Sequence, residues 1–149
     1  MRVIGTAGTE EGLSLVQQAG AHYTFNHRDP NYIDEIKNVT GTHGVDVVIE
    51  NAAHINLGND LTLLAMKGRV AVVGSRGPIE VNPRDTMSRE SSILGVMLFG
   101  ATEKELEESY AAIQAGIKNK WLSPIIGKEF SLVNASDALI MILFMVKEH

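Results

Sequence analysis

The residues best placed to do chemistry follow an apolar run. Val70 to Val73 has the length and β-branching of a strand buried on both faces, and Gly74, Ser75, Arg76 and Gly77 come directly after it. Two glycines, a hydroxyl and a guanidinium therefore stand at a strand's carboxyl end, the edge at which open α/β sheets take ligands. Backbone amides at Gly74 and Ser75 would lie close to a cofactor there, with Arg76 facing a phosphate or a ring. The alternative is an ordinary strand-to-loop turn with a solvated arginine.

A second set lies near the amino end. In a nucleotide-binding sheet, a carboxylate at the end of the second strand holds the ribose diol of NAD or S-adenosylmethionine. The corresponding stretch here, Thr6-Ala7-Gly8-Thr9, has no acid. That leaves room for a 2′-phosphate, to which His27 and Arg28 at the end of the next strand could donate. The alternative is a plain tight turn with exposed loop residues. A methyltransferase is disfavoured by the missing acid and by the lack of a Gly-x-Gly-x-x-Gly loop. The histidines at 22, 27, 43, 54 and 149 show no metal-ligand spacing and read as surface or loop residues, and there is neither a Gly-x-Ser-x-Gly elbow nor a pair of catalytic carboxylates.

Composition bounds the rest. A chain of 149 residues allows one domain with a sizeable core or part of a larger one. Its 44% hydrophobic and 21% charged residues are those of a globular protein, and a net charge of -5 offers no general attraction to nucleic acid or to an anionic membrane. With no cysteine there are no disulfides or thiolate metal sites, which is compatible with a cytoplasmic location. No apolar run reaches the roughly 18 residues of a membrane span, and no signal peptide is recognisable.

The elements that must position these residues alternate. Val3 to Thr6 reads as a strand, followed by a helix capped by Thr9 and running to about Ala19, with Leu13, Val16 and Ala19 as its buried stripe and Gly20 as its stop. Tyr23 to Phe25 is a strand and Tyr32 to Val39 a helix, with Asn31 as its possible cap. Val45 to Ile49 reads as a strand buried on both faces, and the helix after it ends near Leu64. Gly68 is expected to stop the helix before the strand at Val70. Pro78 to Arg89 reads as a polar loop, Ile93 to Phe99 as a strand interrupted by Gly95, and Glu103 to Ala115 as a helix with Leu106, Tyr110 and Ile113 facing a core. Glu129 to Leu132 suggests a short strand. The last helix, Ala135 to Val146, is apolar all round from Leu139, which demands burial or a partner. Such alternation predicts an α/β fold with a Rossmann-like, doubly wound, mostly parallel sheet over a single domain, residues 1–149.

Several segments, taken in order, carry a resemblance. Gly5-Thr-Ala-Gly-Thr-Glu-Glu-Gly12, Phe25-Asn-His-Arg28, Asn31-Tyr-Ile-Asp34, Gly68-Arg-Val-Ala-Val-Val-Gly-Ser-Arg-Gly77, Asn82-Pro-Arg-Asp-Thr-Met87 and Glu90 to Phe99 resemble the zeta-crystallin family of NADPH-dependent quinone oxidoreductases. This is the zinc-free branch of the medium-chain dehydrogenase/reductase superfamily. The resemblance implies NADP as cofactor, no zinc, a quinone substrate, a cytoplasmic homo-oligomer pairing through Ile93 to Phe99, and a capacity for AU-rich RNA. It places Gly8 and His27 at the adenosine 2′-phosphate, Asn56 near the cofactor, Val73, Gly74, Ser75 and Arg76 along it, and Val96, Met97 and Leu98 beside the nicotinamide. Where some of these reductases carry a phosphate-binding lysine, Gly12 stands, so His27 would carry more of the recognition.

The resemblance also implies an incomplete sheet. The family's substrate domain and its first strand-helix unit, with the glycine-rich pyrophosphate loop, have no counterpart in this sequence. The edges of Val3 to Thr6 and Val45 to Ile49 would then stay unpaired or close on each other, and each buried amide left alone costs about 1 to 3 kcal/mol. The expected function is the cofactor portion of a quinone reductase with weak nucleotide binding. The alternatives are a non-catalytic nucleotide or AU-rich RNA binding module, or a degenerate fragment without a stable fold.

Overall fold

The computed structural model describes residues 1–147, with side chains through residue 142. These form two compact units, Met1–Phe99 and the described residues from Gly100 onward.

The first unit begins with β1 (Ile4–Ala7), α1 (Glu10–Gln18) and β2 (Tyr23–Asn26), and β1 and β2 form a parallel pair. Thr9 caps α1 as its sequence requires, with its hydroxyl accepting from Gly12 N at 3.1 Å and with Glu10 and Glu11 complementing the helix dipole. Gly5 lets α1 lie close on β1, since a side chain there would run into Val16. Gly20 ends the turn after the helix at φ +108°, a conformation that favours glycine. Leu13 and Val16 are half-buried, whereas Ala19 is exposed.

α2 (Tyr32–Thr40), β3 (Val45–Glu50), α3 (Ala53–Leu63), β4 (Leu64–Val72), a short α4 (Pro83–Met87) and β5 (Ser92–Gly95) follow. Asn31 precedes α2 without a side-chain capping bond. Strands β3, β4 and β5 make a second parallel sheet with β4 in the centre. The core sits beneath it, where Leu61, Leu64 and Val70 are buried against Val48, Leu57, Val72 and Val81. The mixed α/β fold with parallel sheets is the one the alternating pattern predicts. β1 and β3 belong to different sheets and do not close on each other.

Several expectations change. Gly68 does not stop a helix. α3 passes into β4 between Leu63 and Leu64, and Gly68 lies in an irregularity of the strand where a Cβ would stand 3.0 Å from the carbonyl oxygens of Ala65 and Val45. β3 is not buried on both faces, because Val47 is 43% and Ile49 71% exposed. As an end strand of its sheet, it has a neighbouring strand on one side alone. The loop before β5 contains α4, with Pro83 at its first position and Asn82 capping Arg84 N at 3.0 Å. β5 ends at Gly95, and the chain turns into a 3-10 segment at Leu98–Gly100.

The second unit holds α5 (Glu103–Lys118) and α6 (Ala135–Lys147). Thr102 and Glu105 form a reciprocal capping box at the start of α5. The chain after α5 folds back on Gly116, whose carbonyl accepts from Trp121 N and Leu122 N, both at 3.1 Å. Tyr110 and Ile113 remain exposed and Leu106 is half-buried, because within this unit that turn packs on Gly116 and not on their stripe. Glu129 to Leu132 forms no strand. Leu139, Ile140 and Ile142 are exposed, while the expected burial of the rest of the run, residues 143–146, and the role of His149 fall outside the described side chains. Among the described residues, no helix is long and apolar enough to cross a membrane.

Candidate functional site

The carboxyl ends of β3 and β4 are stitched together by backbone. Glu50 O accepts from Val73 N at 2.8 Å and Gly74 N at 3.2 Å, and Gly74 O accepts from Ala53 N at 2.9 Å. The strand ends thus form one shelf that leads into the first turn of α3. Gly74 is required for it, because a Cβ there would run into the carbonyl of Asn51. Val73 is half-exposed beside it. Ser75 turns inward on its own loop, its hydroxyl donating to Gly77 O at 3.1 Å.

Arg76 N donates to His54 Nδ1 at 3.2 Å, so the histidine on α3 anchors the loop that carries the guanidinium. Sequence reasoning read His54 as a surface or loop residue. Its signal, a histidine in the first turn of the helix next to a glycine-arginine loop, has meaning only once β3 and β4 are known to be neighbours. Beyond β4, Val96 N donates to Val72 O at 2.9 Å, which brings Val96 to the same edge, and Met97 and Leu98 are exposed after it.

Beneath the shelf lies a polar cluster that sequence reasoning missed. Glu50, the last residue of β3, is buried, and its carboxylate accepts from Ala52 N and from Asn56 Nδ2 at 3.3 and 3.2 Å. Asn56, expected near the cofactor, is therefore held from below. Asp60 on α3 is equally buried, and burial first, then the neighbouring Glu50, push its carboxyl up to about 7. Burial also raises the Tyr32 phenol, against a hydrogen bond with Asn59. The available signal was the spacing of Asn56 and Asp60, which puts both on one face of α3.

The other predicted set stands at the ends of β1 and β2. His27 N donates to Ala7 O at 3.2 Å, and Arg28 N to Asn26 Oδ1 at 2.9 Å. Both side chains bend over Gly8, where a Cβ would lie 2.8 Å from Arg28 Nε and 2.9 Å from His27 Nε2. A glycine with two cationic or hydrogen-bonding side chains above it makes a cradle for an anion. Gly8 and His27 are thus brought together, with Arg28 as their third member. This cradle is on the β1–β2 sheet and the shelf on the β3–β4–β5 sheet.

The profile of the zinc-binding dehydrogenase family matches residues 1–115. The chain belongs to that family. It is 54% identical to the quinone oxidoreductase of Homo sapiens over 138 residues and 55% identical to that of Sus scrofa, in each case over 93% of this chain and 42% of the relative. It therefore spans about two fifths of the length of these relatives. Among solved structures, it resembles an NAD-dependent alcohol dehydrogenase with a TM-score of 0.75 and 26% identity, over 85% of this chain and 36% of the other. A mycobacterial protein solved with NADPH superimposes with a TM-score of 0.78 over 92% of this chain and 45% of its own; at 24% identity, it bears on the fold. The resemblance to quinone oxidoreductases and the Rossmann-like fold agree with these relatives. Although the family's name carries zinc, the residues present do not fit that metal: there is no cysteine, and among the described residues no three His, Asp or Glu side chains gather.

Proposed function

We propose that this chain is the dinucleotide-binding portion of an NADPH-dependent quinone reductase. The observation that carries the reading is the cradle at Gly8. His27 and Arg28 converge over a residue with no side chain, at the strand end where a diol-binding carboxylate would otherwise stand. A 2′-phosphate fits that chemistry, since Arg28 can donate two hydrogen bonds in a fork and His27 a third.

At the shelf, Val73, Gly74, Ser75 and Arg76 line the cofactor, with Asn56 beside it and Val96, Met97 and Leu98 against the nicotinamide. Gly74 gives the ligand close approach to backbone, and the apolar side chains of Val73 and Val96 keep water from the ring. When bound, NADPH supplies the hydride that the quinone accepts. Without a Gly-x-Gly-x-x-Gly loop in the sequence, the chain's own affinity is weak. Pairing with a second copy follows Ile93 to Phe99, where Ile93, Leu94, Val96 and Met97 are exposed, and sedimentation at increasing concentration tests it.

The deciding experiment is titration of the folded chain with NADPH and with NADH, followed by nicotinamide fluorescence. Preference for NADPH by about ten-fold or more is expected, because the phosphate gains charge-assisted hydrogen bonds. The double variant His27→Ala, Arg28→Ala should bind both cofactors alike. Equal affinity of the unaltered chain for the two would overturn the reading.

A further inference from the structure

Two acids sit beneath the shelf, with no cation paired to either among the described residues. Glu50 and Asp60 are each 7% exposed, and Asp60 Oδ2 is buried without a donor within reach. Two buried carboxylates side by side repel, and an ionised oxygen without a donor is costly. One proton on Asp60 removes both difficulties, turning the orphan oxygen into a donor for the Glu50 carboxylate. The Glu50 carboxylate also accepts from Ala52 N and Asn56 Nδ2. Asn56 and Asp60 are one helical turn apart on α3 and meet Glu50 from the same side.

We propose that Glu50 and Asp60 share one proton and that this pair is what positions Asn56 and the turn after β3 at the shelf. Asp60 keeps the proton, and Glu50 passes the constraint to Asn56 and Ala52. Both acids are positioning residues, since neither is required to touch a ligand. Because Glu50 O also receives Val73 N and Gly74 N, the same residue ties the strand ends by its backbone and α3 by its side chain. Loss of the shared proton places two negative charges under the shelf and pushes α3 away from β3.

The groups that act on Asp60 are few. Glu50 faces it from β3, and Tyr32, hydrogen-bonded to Asn59, lies close by on α2. Of the charged side chains on β4 and α4, Lys67, Arg69 and Arg84 are exposed and Asp85 is half-buried, and none of them acts on Asp60. The consequence is a shelf that is ordered at mildly acidic pH and loosens as pH rises through about 7. Only the part of the proposal that gives Asn56 a ligand rests on the dinucleotide reading.

The test is NMR of the full chain from pH 4 to 9, reading side-chain carboxyl carbons and the Asn56 side-chain amide together. The expected result is one midpoint near 7 shared by Asp60 and the Asn56 amide. Asp60→Asn keeps a donor but cannot titrate, so it should leave Asn56 in its low-pH position across the whole range. Glu50→Gln should move the Asn56 amide at every pH. Titration of Asp60 in the ordinary carboxylate range overturns the proposal, as does an Asn56 amide that still titrates in Asp60→Asn. Should both variants fail to fold, the two midpoints in the unaltered chain decide. A shared midpoint without NADPH binding would sink the dinucleotide reading and leave the pair intact; NADPH binding with Asp60 titrating near pH 4 would do the reverse.

Discussion

Replacing Gly74 by alanine tests whether the shelf is built by close backbone approach. An added Cβ meets the carbonyl of Asn51, which is backbone and cannot swing aside as a side-chain tip can. Relief requires the strand ends to part, and the bonds in the way are Val73 N and Gly74 N to Glu50 O and Ala53 N to Gly74 O. Losing two of them costs about 1 kcal/mol each, and a donor or acceptor left buried adds about 1 to 2 more. Against this, alanine restricts the unfolded chain and returns roughly 0.4 to 1 kcal/mol. The balance is a loss of about 3 kcal/mol, which for a unit of this size lowers the melting temperature by roughly 10 to 20 °C. Thermal unfolding followed by circular dichroism measures it, with Gly77→Ala as control because a Cβ at Gly77 meets nothing within 4 Å. A Gly74→Ala chain melting within about 2 °C of the parent would refute the argument.

Other outcomes follow from the same structure. Asp60 is raised in the folded chain to about 7 from 3.8, so the folded state holds a proton the unfolded chain gives up; its stabilising contribution is present in full below pH 4 and is lost as pH rises through about 7. Urea unfolding at pH 5 and pH 8 should show that loss, about 2 to 4 kcal/mol after allowance for screening by water, and Asp60→Asn should abolish it. Leu61 is fully buried in the core, and Leu61→Ala should cost about 2 to 5 kcal/mol by denaturant titration. Thr102→Ala removes the capping box of α5, in which Thr102 Oγ1 accepts from Glu105 N at 3.3 Å. It should cost about 0.5 to 2 kcal/mol and fray the first turn of α5 in hydrogen exchange.

Local chemistry was legible wherever partners are close along the chain. Thr9 announces its helix because a cap needs a residue three positions away, and the β-branched run from Val70 announces a strand. The cradle was half legible: Gly8, His27 and Arg28 were named, but their convergence depends on the parallel register of β1 and β2, which sets Ala7 beside Asn26. Gly68 was misassigned because a glycine at a bulge and a glycine at a helix stop look alike in sequence. Val47 and Ile49 were misassigned because an apolar run records what a strand can bury, not what lies beside it.

By itself, the amino-acid order determined the alternation of strand and helix, the caps, the missing diol-binding acid and the glycines at the strand ends, since each depends on backbone preference or on near neighbours. Tertiary structure decided that β3 lies open, that His54 holds the Arg76 loop, and that Glu50 and Asp60 share a buried space. The physical reason is that burial, repulsion and proton affinity depend on what stands across a gap in space. Ten positions of sequence separate those two acids, and only the packing of α3 against β3 makes them neighbours.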